Sequence, residues 1–255
     1  MDFLYANGDS FVFGMECLGD GSTLELNKEY AFPKHLAKRL DCPTYINNAY
    51  NGATNDFIFR NTIFDLLDLE RQGVDPRNVF VLVGWTSLHR TEIVGDSWYD
   101  KIPNFKHNEA HLLTSPDAPG EFRDFKTLFV NPSSDNFVVH NGIRYTTEDD
   151  ITPFCVDFLW HDHLQNPQQQ ARIIALHEFL KSRGYRHLFV NTCEKNKFDM
   201  IDSAVPNYYQ LTDNSFYAWA VENHKPAHRL KNHFSPVPHA IYGDMLFDYV
   251  VKNKL

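Results

Sequence analysis

Two distant groups of residues could do chemistry together. Near the start, the apolar run "DFLYA" (2–6) leads through Asn7 into Gly8-Asp9-Ser10. Near the end, "NHFSPVPHAIYGDML" holds His233 in a proline-containing loop, with His239 further on. A serine hydroxyl is a weak nucleophile until a histidine takes its proton, and the two must meet in space rather than in sequence. Such a pair attacks acyl carbonyls. A serine placed after a strand, at a helix start, also has backbone N–H groups aimed at a developing oxyanion. Gly8 lets the chain turn there without a Cβ clash. The same tripeptide has a second reading, in which Asp9 or Ser10 only N-caps a helix over 11–17. His239 is the alternative base; it would begin the last helix, whereas His233 precedes it.

The rest of the chain narrows the chemistry. His107 and His111 in "HNEAH" would share a helix face, but Glu109 is at the wrong offset for the zinc motif H-E-x-x-H, so no metal is expected. The "HDH" at 161–163 reads as a polar helix end. No phosphate-cradling glycine loop and no G-x-S-x-G elbow occur, and no cofactor is implied. The formal net charge is −9. With no cluster of Lys and Arg, this argues against nucleic acid or an anionic membrane as a partner. Cys17, Cys42, Cys155 and Cys193 form no CxxC pair, and the polar turn at Asn7 leaves no room for an export signal. Reduced thiols and a cytoplasmic setting are therefore expected. Trp85, Trp98, Trp160 and Trp219 suit a sugar site or a core, and Trp85 directly follows a strand. Arg60 and Arg90 could bind a substrate carboxylate, but read first as members of surface ion pairs.

These residues need a scaffold, and the hydrophobic pattern supplies one. "DFLYA", "TYINNA" (44–49) and "NVFVLVG" (78–84) read as strands. "AFPKHLAKRLD" (31–41) and "DFIFRNTIFDLLDLERQG" (56–73) between them read as helices, the second capped by Asn55 and Asp56. Alternating strands and helices predict a doubly wound α/β sheet. The alternation breaks at about 88–148, expected to be an insertion with a β-hairpin at 136–147 turning on Asn141-Gly142. It resumes with helices at 150–164 and 168–184, a strand at 186–192, a short helix at 214–224 and a last helix at 238–255. One domain over residues 1–255 is expected.

In block order the chain resembles the SGNH, or GDSL-type, hydrolases. Their first block is matched by Gly8-Asp9-Ser10. Their oxyanion-hole glycine after strand 2 is matched by Gly52 in "NNAYNGATND". Their last block, with a small residue ten positions beyond its histidine, is matched by His233 and Gly243. "GDSFVFG", "NDFIFRNT" and "VGWTSLHRTE" also resemble a subgroup seen in bacteriophage and bacteria. The resemblance implies a flavodoxin-like three-layer α/β/α fold with a central parallel sheet. It implies a serine esterase or acyl hydrolase acting on an ester, such as an O-acyl group on carbohydrate. Ser10 would be the nucleophile and His233 the base. The backbone N–H groups of Ser10 and Gly52, helped by Thr86, would hold the oxyanion. Asp9, Asn55, Trp85 and Ser87 would border the pocket.

The chain departs from that pattern twice. Where the family has Gly-x-Asn-Asp after strand 3, the sequence reads Gly84-Trp85-Thr86-Ser87, without the asparagine. Where the family has an aspartate three residues before the histidine, it reads Leu230. The histidine would then be oriented by a backbone carbonyl, by Asn232 or by a carboxylate from elsewhere. A fold-sharing binding protein without catalysis and a glycan acyltransferase remain the alternatives.

Overall fold

The computed structural model describes residues 1–19, 24–88, 90–93, 126–129, 137–140, 143–146, 162–193, 201–209, 215–224, 229–230 and 233–255. Along them run β1 (Phe3–Asn7), α1 (Ser10–Phe13), α2 (Leu24–Lys28), α3 (Phe32–Arg39), β2 (Thr44–Asn47), α4 (Asn55–Arg71) and β3 (Val79–Trp85). There follow β4 (Arg90–Ile93), β5 (Lys126–Phe129), β6 (Phe137–His140), β7 (Ile143–Thr146), α5 (Asp162–Arg183), β8 (Arg186–Asn191) and α6 (Ile201–Ala204). The last are β9 (Tyr208–Tyr209), α7 (Phe216–Asn223), β10 (Arg229–Leu230), β11 (His233–Phe234) and α8 (Pro236–Asn253).

The apolar runs form one parallel sheet in the order β2-β1-β3-β8-β9. Renumbered within the sheet, this is 2-1-3-4-5, the flavodoxin-like order, whose switch point lies between β1 and β3. Side chains alternate across it. Leu4, Ala6, Phe80, Leu82, Leu188 and Val190 pack with Phe32 and Leu36 of α3 and Tyr242 and Leu246 of α8. Tyr5, Val81, Val83 and Phe189 pack on the other face with Ile58 and Leu66 of α4 and Leu176 and Leu180 of α5. Helices on both faces make three layers, and each fully buried leucine contributes roughly 1.5–3 kcal/mol. Among the described residues, no helix is long and apolar enough to cross a membrane.

The small residue at 243 answers a packing need. A Cβ there would stand 2.6 Å from the His35 Cβ and 3.0 Å from the Phe32 carbonyl oxygen, so α8 crosses α3 at its glycine. Strands β4 to β7 form a second, antiparallel sheet in chain order. Strands β6 and β7, at the hairpin expected over 136–147, pair with His140 opposite Ile143. Asn141 and Gly142 lie outside the described residues, as do His107, His111, Trp98, Trp160 and Cys155.

Several element boundaries differ from the sequence reading: the helix expected over 11–17 is Ser10–Phe13, and the last helix begins at Pro236. The cap of α4 is Thr54, whose Oγ1 accepts the Phe57 N–H at 3.1 Å, and Asn55 is already helical. The helix expected from 168 begins at Asp162 and runs through Pro167. Pro167 lies past the first turn, where a proline gives up one intrahelical N–H bond and crowds the carbonyl four residues back, yet the helix continues to Arg183. The helix expected at 150–164 lies mostly outside the described residues.

Candidate active site

The end of β1 is shaped by its neighbours. Asn7 Oδ1 accepts the Gly8 N–H at 2.8 Å, while its Nδ2 donates to Thr62 Oγ1 at 2.9 Å and ties the strand to α4. A Cβ on Gly8 would lie 2.8 Å from the Gly84 carbonyl oxygen and 2.3 Å from Val12 Cγ2, so no side chain fits. Asp9 then caps α1, its Oδ1 accepting the Phe11 N–H at 3.0 Å. Ser10 is the first helical residue and is buried. Cap and candidate nucleophile are therefore different residues, and the serine hydroxyl is not consumed by capping.

The other oxygen of Asp9 gathers three strand ends. Oδ2 lies 2.8 Å from the Thr86 hydroxyl after β3, 2.8 Å from the Thr192 hydroxyl and 2.9 Å from the Cys193 thiol after β8. The Arg90 guanidinium stands 3.6 Å away. Burial first, and then the Asp9 charge, push the Cys193 thiol up to about 12, so it stays a protonated donor. Arg90 is thus in a buried ion pair, not the surface pair its sequence context suggests.

The arrangement at the strand ends corrects five expected roles. Asp9 is wholly buried and holds the strand ends together instead of bordering a pocket. The Thr86 hydroxyl donates to Asp9, so it is not available to an oxyanion. Asn55 accepts the Thr86 N–H at 2.9 Å and donates to the carbonyls of Thr86 and Ser87, so it braces the end of β3. That brace also occupies the Ser87 carbonyl, and Ser87 is buried. Trp85 is fully buried, edge-on to Phe189 at 5.8 Å, and belongs to the core beneath α4 and α5, not to a sugar site.

Gly52 sits in the loop after β2 with φ +80°, a conformation that glycine adopts without strain. The loop is laced to the end of β1. The Asn48 N–H donates to the Ala6 carbonyl at 2.9 Å and the Tyr50 N–H to the Gly8 carbonyl at 3.0 Å. Arg90 Nη1 is 3.2 Å from the Ala53 carbonyl oxygen and 3.6 Å from Asp9 Oδ2. One guanidinium therefore brings Gly52-Ala53 beside Asp9-Ser10, at the carboxyl ends of the strands where such sheets bind ligands.

The histidines part company. His239 is fully buried in α8, its ring 10° from parallel with Phe32, and its Nδ1 accepts the Phe32 N–H at 3.2 Å. Burial pushes it down to about 3, so it is a neutral core residue and not an alternative base. His233 is carried by β11, and its ring centroid lies 5.1 Å from that of Phe11, the residue after Ser10. Its Nδ1 is 2.9 Å from Glu16 Oε2. Facing a carboxylate, Nδ1 is the donor of that contact. Among the described residues, no hydrogen bond joins Ser10 Oγ to either histidine. Catalytic hydrogen bonds commonly tighten only when substrate binds.

Sequence reasoning missed Glu16, Thr192, Cys193 and the buried position of Arg90. Thr192-Cys193 had a signal, because they follow β8 as Ser10 follows β1. Glu16 had none in spacing or composition, since its placement depends on a left-handed backbone, φ +59°.

Residues 15–117 match a family described as a family of unknown function (DUF6071). No curated protein matches the sequence. Among solved structures, the chain is similar to a carbohydrate esterase described as having divergent catalytic and non-catalytic binding functions. That likeness has 13% identity and a TM-score of 0.44, over 98% of this chain and 68% of the other. It is also similar to a proposed lipolytic protein of the G-D-S-L family from Desulfitobacterium hafniense, at 12% identity and a TM-score of 0.43, over 97% and 99% of the two chains. A third is an acetyl xylan esterase from the rumen bacterium Butyrivibrio proteoclasticus, at 10% identity and a TM-score of 0.45, where the match covers 99% of this chain and 64% of that one.

Proposed function

We propose that this chain is a serine-dependent acyl-ester hydrolase, with Ser10 as nucleophile and His233 as base. The observation that carries the reading is the position of His233, its ring against Phe11 at 5.1 Å, next to a serine that Asp9 has relieved of capping. Ser10 Oγ attacks the ester carbonyl carbon and its proton passes to His233 Nε2. The carbonyl oxygen becomes an oxyanion, held by the backbone N–H groups of Ser10 and Gly52. Collapse breaks the acyl–oxygen bond, and the alcohol leaves with the proton from His233. Water, deprotonated by the same nitrogen, then frees the acid from Ser10.

With the Thr86 hydroxyl given to Asp9, the oxyanion has two backbone donors. A lost donor typically slows such reactions ~10²–10³-fold, so turnover is expected to be modest. The resemblance of the sequence blocks supports an O-acyl group on carbohydrate as the substrate class. The test is labelling by a fluorophosphonate together with turnover of p-nitrophenyl acetate and acetylated sugars. Both signals should vanish in Ser10→Ala. A folded wild type that neither labels nor turns over any ester would overturn the proposal in favour of a binding protein. Acyl-sugar products formed with an acceptor sugar would move it to acyl transfer.

A further inference from the structure

Leu230 stands where a carboxylate three residues before the histidine would be expected, and across the β10–β11 pair it is the register partner of His233. A carboxylate from the opposite end of the chain faces His233 instead. We infer that Glu16 is the positioning carboxylate for His233, completing a Ser10–His233–Glu16 triad; this rests on the reading of Ser10 and His233 as nucleophile and base.

Three observations carry it. First, Glu16 Oε2 is 2.9 Å from His233 Nδ1, and both side chains are mostly withdrawn from water, 22% and 14% exposed. A contact so placed selects one tautomer, with the proton on Nδ1 and the lone pair of Nε2 left for a serine hydroxyl. Second, Glu16 is a non-glycine residue in the left-handed region, a conformation that costs energy and persists only where its surroundings impose it. Third, those surroundings lead straight to the nucleophile. The N–H groups of Gly14 and Met15 both donate to the Ser10 carbonyl oxygen, at 3.0 and 2.9 Å, and Gly14 is itself left-handed at φ +82°. The turn that aims the carboxylate is thus fastened to the residue that would attack.

In this arrangement Ser10 and Glu16 ride on one turn, and β11 brings His233 against Glu16 and the Phe11 ring. No proton passes to Glu16. It holds the imidazole in position and stabilises the imidazolium formed while Nε2 holds the serine proton.

The test compares Glu16→Gln, Glu16→Asp and Glu16→Gly with the wild type, using p-nitrophenyl acetate turnover and the proton NMR signal of the imidazole Nδ1–H. Glu16→Gln should lower kcat on the order of 10⁴-fold, the effect of losing a triad acid. KM should change little, and the low-field Nδ1–H resonance should be lost. Glu16→Asp should recover at least part of kcat. Glu16→Gly relieves the left-handed backbone, so its Tm should match or exceed that of the wild type while its kcat falls as in Glu16→Gln. That separates positioning from folding. If Ser10→Ala and His233→Ala abolish labelling but Glu16→Gln turns over like the wild type, the inference about Glu16 is wrong and the hydrolase reading stands. If Ser10→Ala still labels and turns over, both fall together.

Discussion

Ser10 and Asp9 are neighbours with separate tasks, and the division can be measured. Thr86→Val removes one donor from a buried carboxylate, which typically costs about 1–3 kcal/mol. Urea unfolding should show that loss, and Thr86→Ser should avoid most of it. A Thr86 hydroxyl that served the oxyanion would instead show as a fall in kcat at unchanged stability. Ser10 and His233 were named as candidates from the sequence because chemistry restricts their types and chain order restricts their places. Glu16 was not, because nothing in a residue's type announces a left-handed φ, and its partner lies at the far end of the chain. Asp9, Thr86 and Asn55 were legible as polar residues near a site. Their direction, toward one another instead of toward substrate, was set by packing at the strand ends.

Elements show where periodicity suffices and where it fails. The apolar runs of β1, β3 and β8 announced themselves, as did the amphipathic α4. The two-residue β9 and β11 hold too few positions to display a period. The start of α4 was misread by one residue because Thr54 and Asn55 are both good caps by type. Thr54→Ala should cost about 1 kcal/mol in thermal or chemical unfolding with little effect on chemistry. Asn55→Ala should instead loosen the end of β3 and change ester turnover if that end supports the site. Gly243→Ala must push His35 and the Phe32 carbonyl apart from α8. Overpacking of this kind typically costs about 1–3 kcal/mol, read as a fall in Tm.

At the scale of the whole molecule, alternating strands and helices revealed the α/β class but not the strand order. That order depends on which edges pair, and local pattern does not carry the information. Buried histidines give the assembled fold a pH response. His187 Nδ1 faces the Tyr185 carbonyl, and its Nε2 is 2.8 Å from His177 Nδ1, so the pair is neutral. Burial lowers His187 to about 4 and His239 to about 3, and lowers His177 as well. Below their ordinary value of 6.5, the unfolded chain takes up protons that the fold refuses. Stability is therefore full above that value and declines as the pH falls toward 4 and 3. Thermal unfolding should show Tm dropping between pH 6.5 and 5. His187→Asn should be less stable at pH 7 yet less sensitive to pH over that window.

The shared oxygen of Asp9 has a consequence for how the molecule breathes. Thr86 and Thr192 hold the same atom from different strands, and the carboxylate belongs to the turn after a third. None of the three chain ends can fray without releasing the others' anchor. Amide hydrogen exchange just beyond β1, β3 and β8 should thus proceed as one cooperative opening. In Asp9→Asn, which offers a weaker acceptor, those amides should exchange faster and on separate clocks.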